Sequence, residues 1–492
     1  MRPLTVITRS VNALAEFLGV PGIDRDVAVT GIASNTKEIE DGDIFLALPG
    51  ATVHGAAFIE QAILKGAVAV ATDEAGARHP NSLPTLVISN PRQQAGEISA
   101  WIYGHPFRRL SAVGITGTNG KTTTSSLLQQ LWSLEGRETG FLGTVGISIG
   151  RDEFPTRFTT PEATELQGIA AMMVERHIDN FVMEVSSHAL AQLRVRGAHY
   201  VAAAFTNLTQ DHLDFHGTME EYFLAKAKLF TTEYSDIGFI NIDDDFGRRL
   251  VAQCEIPWVS LSRNNSKADW FYNEITSVRQ GYEVAIRGTG GILIEGYLPL
   301  IGDHNLDNAL MAMALSVQTG LDPIAISANM RFLQAVPGRL ENVSLGQPFT
   351  ALVDFAHSPD SVRRVLSTLR KGFSGKIIAV LGCGGDRDRL KRPIMGRALV
   401  ELADCAIFTS DNPRSEDPEF ILSEMIGEIA LNDDARAIVD RSLAIQAAVD
   451  LAVAGDIVIV LGKGHETGQE IKGIKYPFDD RIELARAIEA KS

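Results

Sequence analysis

The sequence predicts an α/β fold in three domains: a central phosphate-loop domain built on a parallel sheet, flanked by an N-terminal and a C-terminal α/β domain. Three observations carry this reading. Apolar runs of strand length alternate with segments of helical spacing along most of the chain. A glycine loop, Gly117-Thr118-Asn119-Gly120-Lys121-Thr122-Thr123, joins one such run to one such helix. In the last third, four apolar runs each end in polar, often glycine-rich sequence. At 492 residues the chain is too long for one ordinary core, so several domains are expected.

The first block, residues 1–98, carries short strands such as Asp43-Ile44-Phe45-Leu46-Ala47-Leu48 and Ala67-Val68-Ala69-Val70-Ala71. It closes on Ser89-Asn90-Pro91-Arg92 and a short helix. The second block, 99–335, opens with the apolar run Leu110-Ser111-Ala112-Val113-Gly114-Ile115 and passes through the glycine loop. A helix follows, on which Leu127, Leu128, Leu131 and Leu134 recur. Strand, glycine loop, lysine, hydroxyl and helix together form a triphosphate-binding layout. The loop amides turn toward phosphate oxygens, Lys121 reaches the outer phosphates, and the Thr122 hydroxyl suits Mg²⁺. Further strands are predicted at 181–185, 200–205 and 237–242. Ala335-Val336-Pro337-Gly338-Arg339 reads as the turn into the third block, 336–492. There, strands at 351–354, 376–381, 405–409 and 456–461 predict a Rossmann-like sheet. Their polar endings, 354–357, 382–387, 410–414 and 462–466, predict one shared site, because ligands of open parallel sheets bind beyond the carboxyl ends of strands.

Composition excludes some classes. The net charge of −16 argues against a nucleic-acid binder or a membrane-surface protein, which need a basic face. Three unevenly spaced cysteines, Cys254, Cys383 and Cys405, give no disulfide framework and no metal spacing. The start, Met1-Arg2-Pro3-Leu4-Thr5-Val6-Ile7-Thr8-Arg9, lacks a signal-peptide core, and no run of about 18 apolar residues occurs. A cytoplasmic protein is expected. Asp243-Asp244-Asp245 reads as a solvated turn rather than a metal site.

Several segments together resemble one family. They are the glycine loop; Glu184-Val185-Ser186-Ser187-His188; Thr206-Asn207-Leu208-Thr209-Gln210-Asp211-His212-Leu213-Asp214; Gly302-Asp303-His304-Asn305-Leu306-Asp307-Asn308-Ala309; Pro337-Gly338-Arg339; and Asp354-Phe355-Ala356-His357-Ser358-Pro359-Asp360. In order and spacing they resemble the Mur ligases across nearly the whole chain. Asp411-Asn412-Pro413-Arg414 resembles the signature of that family's diaminopimelate-adding branch. The resemblance implies ATP-dependent amide-bond formation in peptidoglycan precursor synthesis. Its small-molecule partners are a UDP-N-acetylmuramoyl dipeptide, meso-diaminopimelate and ATP, bound by a monomer. The N-terminal domain is then the UDP-sugar domain, and the C-terminal domain the amino-acid domain.

The resemblance also implies residue roles. The nucleotide site comprises Gly117, Thr118, Asn119, Gly120, Lys121, Thr122 and Thr123, with Asn305 or Asn308 toward adenine, Arg339 toward phosphates and Asp354 toward ribose. Thr122, Glu184 and His212 stand at metal positions for Mg²⁺. Lys226 matches the lysine that CO₂ converts to an anionic carbamate able to bind a second Mg²⁺. Ser34, Thr159, Thr160, Ser186, Gln192 and Arg194 match positions for the UDP substrate. Around Ser34 the sequence Ala33-Ser34-Asn35-Thr36 departs from the usual Asp-Ser-Arg, and the loop Gly50-Ala51-Thr52-Val53 is expected at the uridine end. Arg387, Asp411, Asn412, Pro413, Arg414, Gly462 and Glu466 match the diaminopimelate site. Plainer readings stand beside these. Asn305, Asn308, Glu184 and Asp354 could cap helices. His212 could be a buried hydrogen-bonding histidine. Lys226, Arg339 and Arg387 could be surface cations, and Asn412-Pro413 a routine turn. Two rival functions are a folylpolyglutamate-synthetase-like ligase and a nucleotide-driven binding module.

Overall fold

The structure, a computed structural model, describes residues 1–50, 52–156, 158–278, 281–336 and 338–491. Ala51 of the predicted uridine loop and Pro337 of the Pro-Gly-Arg turn lie outside the described residues.

Three sheets organise the chain. The first is parallel, with Gly31–Ala33, Asp43–Ala47, Ala69–Thr72 and Thr85–Val87 in that order. The largest has eleven strands among the described residues. Its middle runs parallel in the order Thr139–Gly143, Asn180–Glu184, Ser111–Thr116, Ala202–Phe205, Gly238–Asn241, Trp258–Ser262 and Trp270–Val278. Residues along these strands alternate between two cores. Ala112, Phe181, Met183, Ala203 and Phe205 pack on one face; Val113, Ile115, Val182, Ala202 and Ala204 pack on the other. A sheet buried on both faces needs near-continuous apolar strands, and that is why these runs stand out in the sequence. Helix Lys121–Leu134 lies against helix Asp303–Gln318 on one face, and helices Ala163–Glu175 and Met219–Ala227 cover the other.

Antiparallel strands extend both edges of this sheet, an arrangement the sequence reading does not anticipate. Gly146–Ile149 and Asp152–Phe154 add to one edge, Gly281–Arg287 and Leu293–Leu298 to the other. Beyond Tyr272 the neighbouring strand Trp270–Val278 is exposed, so no regular burial pattern marks it as a strand. The third sheet runs Glu341–Asn342, Thr350–Asp354, Ile457–Leu461, Ile377–Cys383, Cys405–Ser410 and Ala435–Ala437, parallel except for its first edge strand.

Adjacency within the sheets positions the chemistry. Asn180–Glu184, Ser111–Thr116 and Ala202–Phe205 are neighbours, so Glu184, the glycine loop and Thr206 emerge side by side. In the third sheet, the ends at Asp354, Leu461, Cys383 and Ser410 form one rim. The first domain is tied to the second through Ser34, whose hydroxyl lies 3.2 Å from that of Thr164. The Leu4 and Thr5 amides add to that tie, donating to the Glu175 carboxylate at 2.8 and 2.5 Å.

Candidate active site

The glycine loop has a shape that side chains would block. Gly117 has φ +146° and Gly120 φ +87°; a Cβ there would clash with Thr206 Oγ1 or Asn308 Oδ1. The next strand end pins the loop. The Thr118 amide donates to Asn207 O at 2.8 Å, and Thr206 Oγ1 donates to Asn119 O at 2.6 Å. Lys121 opens the helix and curls back, its Nζ donating to Gly117 O at 3.0 Å and Thr118 O at 2.9 Å. Beside the loop lies a cavity of about 250 Å³, lined by Asn119, Gly120, Thr122 and Thr123, by Asn305 and Asn308 on the facing helix, and by Arg339 and Asp354 of the third domain.

The capping alternatives give way here. Helix Asp303–Gln318 is capped by Gly302, so Asn305 and Asn308 lie within it, and Asn305 Nδ2 donates to Ile301 O at 2.8 Å. Asp354 accepts from the Leu340 and Ala356 amides, while Ser358 caps the next helix. Arg339 is no surface arginine; its guanidinium stacks over the Phe355 ring at 4.8 Å. Nor is Asp243-Asp244-Asp245 simply a solvated turn. Asp244 caps helix Asp245–Gln253, Asp243 accepts from the Arg263 amide at 2.7 Å, and both line the cavity.

Lys226 departs most from its plain reading. It is 2% exposed, and its Nζ donates to Gly117 O at 2.8 Å, the same carbonyl that Lys121 uses. Its Nζ also stands 4.7 Å from the centre of the Tyr222 ring. Burial drives its pKa well below the ordinary lysine value; the charge of Lys121 adds to the drop, against a pull upward from Asp211. Glu184 is fully buried and caps no helix, since Ser186 takes that role. Its carboxylate accepts from the Thr144 amide at 2.9 Å and the Thr144 hydroxyl at 3.2 Å. His212 is half exposed rather than buried, and its ring meets that of His188 edge-on at 4.8 Å. Partial burial lowers its pKa, with Lys121 and Lys226 adding to the effect and Asp211 opposing it. The neutral imidazole, the form that binds metals, is thereby favoured.

These residues fit a magnesium ion. Glu184 offers a carboxylate held by neutral donors alone. The Thr122 hydroxyl lines the cavity and makes no side-chain hydrogen bond among the described residues. Hydroxyl and carboxylate oxygens are hard ligands. No group of three His, Cys, Asp or Glu among the described residues could hold a metal by itself.

The residues expected at the UDP substrate gather beyond Glu184. Thr160 is buried; its Oγ1 donates to Glu184 O at 2.9 Å and accepts from the Ser186 amide at 3.1 Å. Arg194 donates to Thr160 O at 3.2 Å and to Gln192 Oε1 at 2.5 Å. The Thr159 hydroxyl is 3.1 Å from that of Thr144. Ser34, in the first domain, meets Thr164 rather than any of these residues.

On the third-domain rim, Asn412 Nδ2 donates to Glu466 Oε2 at 2.8 Å, and the Gly385 amide donates to Asn412 O at 2.9 Å. Gly462 has φ +116°, and a Cβ there would press on Asp411 Oδ2 at 2.7 Å. Burial raises the Asp411 carboxyl above its ordinary value, with Arg441 and Lys463 pulling it back. Arg414, at φ +51°, donates to Gly385 O at 2.6 Å and lies 3.7 Å from the Glu470 carboxylate. Pro413 sits between these residues, its carbonyl accepting from the Glu416 amide. Arg387 is not drawn into the group; it is exposed on the loop after Ile377–Cys383.

Comparison with known proteins matches this geometry to a family. The chain matches the Mur ligase family catalytic domain over 28–101, the Mur ligase middle domain over 115–316 and the Mur ligase glutamate ligase domain over 338–464. It is 45% identical to the UDP-N-acetylmuramoyl-L-alanyl-D-glutamate–2,6-diaminopimelate ligase of Streptomyces avermitilis, covering 99% of this chain and 98% of that one. The chain belongs to the Mur ligase family. The enzyme of the same name from Aquifex aeolicus is 40% identical, with 92% of each chain covered. A solved structure of a ligase of that name superposes on this Mur ligase with TM-score 0.71 at 33% identity, covering 98% of this chain and 99% of the other. Folylpolyglutamate synthase from Mycobacterium tuberculosis shares the fold, at TM-score 0.62 and 20% identity, over 76% of this chain.

The sequence reading of this Mur ligase missed several residues that build the site. Thr144 holds Glu184, and Asn207 holds the glycine loop. Arg441 is fully buried, ion-paired to Asp480 at 2.7 Å, and donates to Ser410 O and Leu461 O, so it ties two strand ends of the rim together. Neither Thr144 nor Arg441 carries a local signal. Lys463 does: it lies inside Gly462-Lys463-Gly464-His465-Glu466, between two residues expected at the diaminopimelate site.

Proposed function

We propose that this Mur ligase joins meso-diaminopimelate to the D-glutamyl γ-carboxylate of UDP-N-acetylmuramoyl-L-alanyl-D-glutamate, consuming ATP and releasing ADP and phosphate. The observation that carries the reading is full-length likeness to ligases of that name, combined with the polar rim of Asp411, Asn412, Arg414 and Glu466. The folylpolyglutamate reading rests on fold alone. A binding module would not need an amino-acid rim beside a nucleotide cavity.

A carboxylate is a poor acyl donor, being anionic and without a leaving group. Here one of its oxygens attacks the γ-phosphorus of ATP, and ADP departs. The amine of diaminopimelate then adds to the acyl carbon of the resulting acyl phosphate. Phosphate leaves, and the attacking nitrogen gives up its proton. Lys121 and the loop amides offset charge on the transferring group. Thr122, Glu184 and His212 would hold Mg²⁺, which would supply further charge neutralisation. Lys226, buried beside Lys121, has its neutral amine favoured, and only that form adds CO₂ to become a carbamate. Thr159, Thr160, Ser186, Gln192 and Arg194 hold the UDP substrate, with Ser34 contributing from the first domain. Asn305 or Asn308, Arg339 and Asp354 complete the ATP site. Asp411 and Glu466 take the distal ammonium, and Arg414 its neighbouring carboxylate. One chain supplies every subsite, in keeping with a monomer. The charge of −16, three free cysteines and no described helix long and apolar enough to cross a membrane favour action in the cytoplasm.

The test is ADP release with each substrate omitted in turn, and the mass of the product. The expected result is ADP release that needs all three substrates and a product heavier by one diaminopimelate residue. ADP release independent of the amino acid would overturn the proposal.

A further inference from the structure

Among the described residues, Lys463 is the one lysine side chain on the third-domain rim with no exposed surface, and the reaction outlined above gives it no role. An ammonium has three N–H donors. Lys463 spends them on Asn412 Oδ1 at 3.1 Å, Glu466 Oε2 at 2.8 Å and Gly468 O at 2.8 Å. Asn412 Oδ1 also accepts from the Glu470 amide at 3.0 Å, while Asn412 Nδ2 donates to Glu466 Oε2 at 2.8 Å. Two donors facing Oδ1 fix which way the Asn412 amide points. Glu466 Oε2 is likewise saturated by two donors. Its other oxygen, Oε1, accepts no hydrogen bond among the described residues, and the side chain is 36% exposed. The carboxylate thus shows one defined oxygen to the open side of the rim.

We propose that Lys463 is a positioning residue for amino-acid recognition, locking Asn412 and Glu466 so that Glu466 Oε1 and the remaining Asn412 N–H face the distal zwitterion of the incoming diamino acid. This inference rests on the diaminopimelate reading above. Lys463 is sealed off from the substrate and acts through Glu466 and Asn412. Without it, two side chains that recognise the substrate would gain rotamer freedom, and the Glu466 carboxylate would lose its counter-charge. Binding of the amino acid bears that loss. The nucleotide cavity is lined by neither Asn412 nor Glu466, and the UDP-substrate residues lie in the other two domains, so those two substrates do not bear it.

The experiment measures ADP release by the full chain, varying each substrate in turn, for the parent, Lys463→Met, Glu466→Gln and the double variant. Lys463→Met should raise KM for diaminopimelate by about tenfold to a hundredfold, the range for lost hydrogen bonds to charged groups. KM for ATP and for the UDP substrate should hold. In the Glu466→Gln background the same change should add little, because the group it orients is already altered. Where melting shows Lys463→Met to be unfolded, Lys463→Gln, which keeps a donor and drops the charge, takes its place. An unmoved KM for diaminopimelate, equal rises for all three substrates, or additive losses in the double variant would overturn the proposal. A parent without diaminopimelate-dependent turnover would overturn the ligase reading and this inference with it. A working parent with an unmoved Lys463 variant overturns the inference alone.

Discussion

Replacing Lys226 with alanine should cut turnover by about a hundredfold or more, the scale seen when one preorganised charge is lost from a reacting site. A short carboxylic acid added to the assay should restore part of it by occupying the vacated space. Near-parental turnover, measured as ADP release in a variant that melts normally, would leave no role for an anion at this position. A nearby residue yields a stability prediction. His216 Nε2 lies 2.9 Å from the Ser187 hydroxyl. Burial, helped by His188, Lys226 and His212, pushes its pKa down to about 4. An unfolded histidine titrates near ~6.5. Between those values the unfolded chain holds a proton that the folded chain lacks, so stability falls as pH drops from about 6.5 toward 4. His216→Gln keeps a polar partner for Ser187 and removes the titration. Its urea midpoint should fall less than the parent's between pH 7.5 and pH 5, and equal losses would count against the assignment.

Helix Pro359–Gly372 shows how far an element can be read from local sequence. Ser358 and Ser361 form a reciprocal capping box, and proline occupies the first turn. Ser358→Ala should cost about 1 kcal/mol of stability, read from the denaturation midpoint. The parallel strands were legible because burial on both faces demands continuous apolar runs. The antiparallel edges were not, since their residues are partly exposed and carry no such run. Individual site residues divide along the same line. The glycine loop is local geometry written in glycines. The depth of Lys226 comes from packing against Tyr222 and Gly117, more than a hundred positions away in the latter case, and leaves no trace in its own helix. Asn305 and Asn308 looked like caps because their residue type is right for one; the true start is Gly302, whose positive φ sequence alone does not reveal.

Across the whole molecule, the third domain touches the glycine loop directly. Asp360 Oδ2 accepts from Asn119 Nδ2 at 3.5 Å, Thr209 Oγ1 at 3.4 Å and Arg364 at 2.9 Å. Asp360→Ala should therefore raise KM for ATP by roughly two- to tenfold, the value of one or two net hydrogen bonds, with the melting temperature little changed. An unaltered KM would show that the contact does not help assemble the nucleotide site.

The pair Arg441–Asp480 has a consequence for how this chain tolerates damage. Asp480 opens the last helix, Asp480–Lys491, which bears none of the motifs that mark the family. A frameshift rewriting the chain from Asp479 onward would spare every glycine, lysine and carboxylate assigned to chemistry. It would still leave the Arg441 guanidinium buried without its counter-ion, and the two strand ends it fastens would come loose. A lesion outside every assigned motif would then read out as loss of amino-acid addition, and a screen for inactive alleles should recover such frameshifts beside changes in the glycine loop.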